Sequence, residues 1–250
     1  MKKIFTTAAV ALFMLSLASC SDDDSSSNTS GSDKVLPSKV VEHDASESVT
    51  GTYSYNGSKL KSITYTSGDK DVFTYSGDNI VKSESSLAGT IWLTNTYAYN
   101  SKGQVTEHVY TDIYDTYEKI VFVYNSNGTI STTQYSGDTE AESVLEGTGI
   151  ITIENGNPVK YAYTLTGDDT ATIQLFTFDD KKSPWKNITG MAAIDLISLE
   201  GNSPEHNVLT EQTVYGDYKY TYVYNNDGYP TSSTESDNED ELNSTTEYFY

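Results

Sequence analysis

From Gly51 to the C-terminus, apolar and polar residues alternate with a period of two, and one unit recurs along the chain. Two aromatic or large apolar residues at i and i+2 are followed by Asn, Ser or Asp, then by a short turn that usually holds glycine. Leu, Ile or Val often opens the next run. Tyr53-Ser54-Tyr55-Asn56-Gly57, Phe73-Thr74-Tyr75-Ser76-Gly77 and Tyr97-Ala98-Tyr99-Asn100 begin the series, and Phe122-Val123-Tyr124-Asn125, Ile151-Thr152-Ile153-Glu154, Phe176-Thr177-Phe178-Asp179 and Tyr222-Val223-Tyr224-Asn225 complete it. Asn and Asp tolerate the left-handed backbone region and Gly supplies positive φ, so each unit predicts a β-hairpin. Successive units lie 20 to 29 residues apart until the last interval, which is 46.

Seven serial hairpins predict an all-β antiparallel meander of about fourteen strands over residues 36–250. A sheet of that width accumulates twist and leaves edges that invite pairing, so closure into a barrel, or strong curling, is expected. The last residues, Glu247-Tyr248-Phe249-Tyr250, have the pattern of a closing strand. In the long interval the pattern shifts to Met191-Ala192-Ala193-Ile194-Asp195-Leu196-Ile197, which predicts one short helical insertion over about 186–206, capping an open end of the core. The two strand faces differ: Tyr218, Tyr220, Tyr222 and Tyr224 share one face, while Lys219, Thr221 and Val223 share the other.

The chain has 250 residues, 36 acidic against 15 basic, a net charge of −21 and 21 tyrosines, and all its basic residues are lysine. Without arginine and with this acid excess it lacks the positive surface that nucleic acids and anionic membranes require, and no nucleic-acid partner is expected. The missing arginine also removes the bidentate clamp on phosphate or carboxylate ligands, so neutral, hydroxyl-rich ligands fit better.

Residues 1–19 read as a secretory signal, with Lys2 and Lys3 preceding an apolar stretch too short to span a bilayer. It ends Leu17-Ala18-Ser19-Cys20, which resembles a bacterial lipobox, so Cys20, the single cysteine, is expected to carry a lipid and to tether the chain to a membrane. Ser21, Asp22, Asp23 and Asp24 resemble the export signal that sends Bacteroidetes-type lipoproteins to the cell surface. Residues 20–35 then read as a flexible acidic, serine-rich tether. Loss of the two lysines with the signal takes the net charge from −21 to −23. The remaining acid excess is expected largely in the tether, the turns and a C-terminal loop.

The stretch Phe176-Thr177-Phe178-Asp179-Asp180-Lys181-Lys182-Ser183-Pro184-Trp185-Lys186-Asn187-Ile188, ahead of an apolar helical segment and among tyrosine-rich hairpins, resembles a family of Bacteroidetes lipoproteins. That family is a domain of unknown function with a porin-like β-barrel fold. The resemblance implies a barrel in an outer-membrane, surface-lipoprotein setting, and no catalytic residues. The barrel is expected to be soluble and tethered, because neither strand face has the apolar pattern of a lipid-facing wall.

No hydrolase elbow, Walker loop, zincin helix or paired-cysteine zinc pattern occurs in the chain. His43, His108 and His206 are scattered, and a metal site would need the fold to gather His108 with His206. Asp168-Asp169 and Asp179-Asp180 read as solvated turns, and Asp169-Thr170-Ala171 matches a short O-glycan acceptor pattern. The expected function is ligand binding to a glycan, a peptide or an envelope partner, with the tyrosine face of Tyr218, Tyr220, Tyr222 and Tyr224 as its site. No cofactor, metal or catalytic residue is expected. The alternatives are a hydrolase using a carboxylate pair inside the barrel and a purely structural surface protein.

Overall fold

The computed structural model describes residues 34–44, 46–198, 202–214, 216–237 and 241–250. Cys20 and the Ser21, Asp22, Asp23, Asp24 run lie outside the described residues. Sixteen strands follow one another: β1 (Lys39–Asp44), β2 (Ser48–Asn56), β3 (Lys59–Tyr65), β4 (Asp69–Ser76), β5 (Asn79–Leu87), β6 (Thr90–Tyr99), β7 (Val105–Asp112) and β8 (Tyr117–Tyr124) make the first half. The second half comprises β9 (Thr129–Gly137), β10 (Val144–Glu154), β11 (Asn157–Leu165), β12 (Thr172–Phe178), β13 (Val208–Thr213), β14 (Gly216–Tyr224), β15 (Pro230–Asp237) and β16 (Leu242–Phe249). Every strand pairs antiparallel with its sequence neighbours, and β1 pairs with β16 to close a barrel.

The count of sixteen corrects the expected fourteen. The seven repeated units supply β2 to β15, and the missing pair is β1 with β16, in register from Lys39 opposite Phe249 to Asp44 opposite Ser244. The β1–β16 pairing leaves no turn signal in the sequence because the two strands lie some 200 residues apart. Closure is helped by a recurrent irregularity. The ladder shifts register at or beside the second aromatic or apolar residue of the unit in six of the seven: at Tyr55, Tyr75, Tyr99, Ile153, Phe178 and Tyr224. Bulges add local twist and coil a sheet toward closure.

The repeated turns all fall at one end of the barrel. There the apolar residues that open the returning strands, Leu60, Ile80, Val105 and Ile130, are almost wholly buried. The one α-helix among the described residues, α1 (Met191–Asp195), and the irregular chain around it connect β12 to β13 and cap this same end. Ile188 packs on Leu60 and Ile63, while Ile197 packs with Val105, Phe122, Ile130, Ile151 and Tyr161. Each such side chain stabilises the fold by about 1.5–3 kcal/mol relative to exposure. The β6 to β11 side of the lumen is thereby filled.

The outward positions differ in chemistry from the inward ones. Lys70, Lys82, Lys119, Lys160 and Lys219 all alternate with inward-facing residues, and threonine pairs such as Thr177 with Thr210 bridge the outer wall. Exposed Val123, Ile150, Ile173 and Val223 stand among these polar residues.

Candidate functional site

The capping segment is clamped at both ends, which fixes the side chains it presents to the lumen. Asp179 accepts hydrogen bonds from the backbone N–H groups of Asn207 and Lys181, both at 3.0 Å, from Asn207 Nδ2 at 3.0 Å, and from the Tyr224 phenol. Buried Asn207 also donates to Lys182 O at 3.2 Å. Asn187 Nδ2 donates to Val35 O at 2.9 Å, and the hydroxyls of Thr189 and Ser58 bond at 2.7 Å. Held in this way, Trp185 stacks on Tyr53, with ring centres 5.6 Å apart, and meets Tyr248 edge-on at 6.2 Å.

Above Trp185 lies an open well of about 330 Å³ between the seam strands and β14. This falls at the low end of the roughly 300–1,000 Å³ typical of small-molecule sites. Its walls are inward-facing rings: Tyr53 on β2, Tyr65 on β3, Tyr220 and Tyr222 on β14, and Tyr248 on β16. Ser233, Ser244 and Thr246 add hydroxyls, and Glu42 on β1 and Glu235 on β15 are the only charged side chains of the lining. Gly51 makes room for the Tyr65 ring, whose nearest atom would lie 3.3 Å from a Cβ at that position.

Burial raises the phenol pKa values of Tyr53, Tyr222 and Tyr248 above the ordinary range, so these rings stay neutral donors at physiological pH. Glu42 is reached by solvent through the mouth, yet protein surrounds it closely enough that burial raises its pKa. The carboxylates of Glu235 and Asp44 raise it further. Glu235 accepts from Asn243 Nδ2 at 3.3 Å.

All four residues of the Tyr218, Tyr220, Tyr222, Tyr224 face point into the lumen, with unequal roles. Tyr220 and Tyr222 line the well, Tyr224 is committed to Asp179, and Tyr218 stands nearer the rim, paired across the ladder with Glu211 and Asp237. The histidines are not brought together. His108 stacks on Tyr97 at 4.8 Å, bonds Asn95 at 2.8 Å and is pushed down to about 4 by burial. His206 bonds Asn157 at 3.1 Å in the cap, and His43 bonds Ser48 at 2.6 Å on β1. Among the described residues no group of three His, Cys, Asp or Glu side chains is placed to hold a metal ion.

One expectation about acids requires correction. Asp168 and Asp169 do lie in an exposed turn, and Asp180 is solvated and pairs with Lys181 at 2.8 Å, but Asp179 is the clamp of the cap. Acids also stand on the strands, facing the lumen. Glu42, Asp71, Asp112, Glu118, Glu211 and Glu235 all occupy inward register positions. Their signal in the sequence is parity: Glu235 lies two residues from Ser233, opposite the tyrosines of β14.

No protein-family model matches the chain, and no curated protein does. Solved structures match its fold. A porin-like protein from Bacteroides uniformis superposes with a TM-score of 0.52 at 16% identity, over 85% of this chain and 97% of that one. A porin-like protein from Bacteroides vulgatus gives a TM-score of 0.57 at 12% identity, over 87% of this chain and 99% of that one.

Proposed function

We propose that the barrel is a lipid-anchored binding cup, held at the outer membrane through Cys20 and displayed at the cell surface, that takes a hydroxyl-rich, non-anionic ligand such as a glycan segment. The observation that carries this reading is the well: ring faces suited to stacking on sugar rings, hydroxyls suited to pairing with theirs, and no basic group among its lining residues. The cap fills one end of the lumen, so the barrel is a cup and not a conduit. The described chain enters at the capped end, where Val35 O accepts from Asn187 and Pro37 O accepts from Tyr55 at 2.7 Å.

Calorimetric titration of the Cys20→Ala chain, without its signal, against a panel of oligosaccharides tests the reading. Saturable binding is expected for at least one, and Trp185→Ala is expected to weaken it about tenfold through loss of the stacking ring. Silence across the panel, in heat and in tryptophan fluorescence, would overturn it. The tether has its own test. The outer wall of threonine and lysine predicts that Cys20→Ala releases the protein to the soluble fraction, and resistance of that variant to carbonate extraction would instead place the barrel in the bilayer.

A second reading is favoured by one observation: Glu42 and Glu235 face a single cavity, as the carboxylate pair of a glycoside hydrolase would. Release of reducing ends from a bound oligosaccharide, abolished in Glu235→Gln, would establish it over binding alone.

A further inference from the structure

Among the described residues the two carboxylates of the well have no cationic partner. Glu42 on β1 and Glu235 on β15 flank β16 opposite Thr246 and Ser244, two residues apart along that strand, which places their backbones roughly 12 Å apart with both side chains lining the same space. Among the described residues Glu42 has neither a hydrogen bond nor an ion pair, and Glu235 is bonded only by neutral groups. The strand lysines lie on the outer wall, and Lys181 and Lys186 of the cap are paired with Asp180 and Glu205. Burial and the neighbouring carboxylates of Glu235 and Asp44 disfavour the charged form of Glu42, a repulsion that a positive ligand group would relieve.

The rings favour the same sign of charge. Trp185, Tyr53, Tyr222 and Tyr248 present π-systems to the well, and an ammonium is attracted to aromatic faces as well as to carboxylates. A divalent metal is a poor fit, because hard cations need six or more converging oxygens and no such group of side chains forms here. A sugar ring with one amine satisfies every wall at once, with its face on an aromatic ring, its hydroxyls on Ser233 and Thr246, and its charge between the acids.

We propose that the ligand of the well is an amino sugar, a saccharide with a free primary amine whose ammonium sits between Glu42 and Glu235 while a ring stacks on Trp185. This rests on the glycan-binding reading above and narrows it from neutral sugars to aminated ones.

Three probes of matched shape test it by calorimetry on the mature chain at neutral pH: a β-1,4-linked glucosamine trimer, its N-acetylated counterpart and the corresponding glucose trimer. The free-amine trimer is expected to bind at least tenfold more tightly than either neutral one, and more weakly as salt is raised. The Glu42→Gln/Glu235→Gln double variant is expected to lose that preference while still binding the neutral trimers, which shows that its well is folded. Equal affinity for all three sugars overturns the amine assignment and leaves the glycan reading standing. An amine preference that survives in the double variant overturns the placement between these two acids. If no sugar binds but a simple diamine such as putrescine does, the amino-sugar proposal and the glycan reading fall together, and failure of every probe overturns both as well.

Discussion

Asp195→Asn is expected to stabilise the barrel by about 4 kcal/mol near pH 7, and by much less near pH 5. Asp195 ends α1 with a side chain that is 6% exposed, and its Oδ2 has no hydrogen-bond partner among the described residues. Burial pushes its carboxyl up from 3.8 to about 8. The folded chain thus keeps this proton over a range in which the unfolded chain has released it. Stability linked to Asp195 is therefore whole below about pH 4, falls as pH rises, and levels off above pH 8, where both states are ionised. Asparagine has nearly the shape of the neutral acid and cannot ionise, so it removes the slope. Urea denaturation at pH 5 and pH 7 measures the effect: the variant's advantage should at least double, reaching about 4 kcal/mol at pH 7. An unchanged pH dependence would show that the carboxyl finds a counter-charge or water when the cap breathes.

The contrast between cap and strands explains how much of the molecule was legible beforehand. Turns announce themselves through local backbone chemistry: Asn155 and Gly156, with φ of 51° and 82°, form a tight link that only such residues adopt readily. Alternation then assigns faces, which is why Tyr220 and Lys219 could be separated without a structure. Three features escaped for physical reasons. The β1 to β16 pairing is a contact between distant segments with no local signature. Inward parity does not mean apolar in a barrel whose lumen is partly open, so nothing in the sequence singles out Glu42 and Glu235, which line the well. Trp185 could be assigned to a cap, but its meeting with Tyr53 and Tyr248 depends on how Asp179 and Asn187 anchor an irregular segment. Irregular chain follows side-chain bonds, and these carry no period.

The second large effect is expected on the filled side of the lumen, at a residue with no side chain. Gly149→Val should cost about 3 kcal/mol or more and lower the urea midpoint accordingly. Gly149 sits on β10 between Thr132 of β9 and Tyr163 of β11. The Tyr161 ring leans across this position so that its hydroxyl reaches Gln134 Nε2 at 2.6 Å and Thr132 Oγ1 at 3.3 Å, both on β9. A Cβ on residue 149 would lie 2.6 Å from Tyr161 Cε2, 2.8 Å from Thr132 Oγ1 and 2.9 Å from Ala162 O. Two of those atoms belong to side chains that are almost wholly buried and one to the backbone of the ladder, so no rotamer change relieves the contact. The backbone of Gly149 is not in the left-handed region, so the cost is one of space alone. Strand glycines usually weaken a sheet, and here the loss is offset by the packing and hydrogen bonding of a phenol that spans β10. A double-mutant cycle separates this from a general intolerance of β10. In a Tyr161→Ala background, Gly149→Val should cost less than half of what it costs in the native chain, leaving only the Ala162 and Thr132 contacts. Additive effects would mean that the ring does not occupy the space above Gly149 in solution.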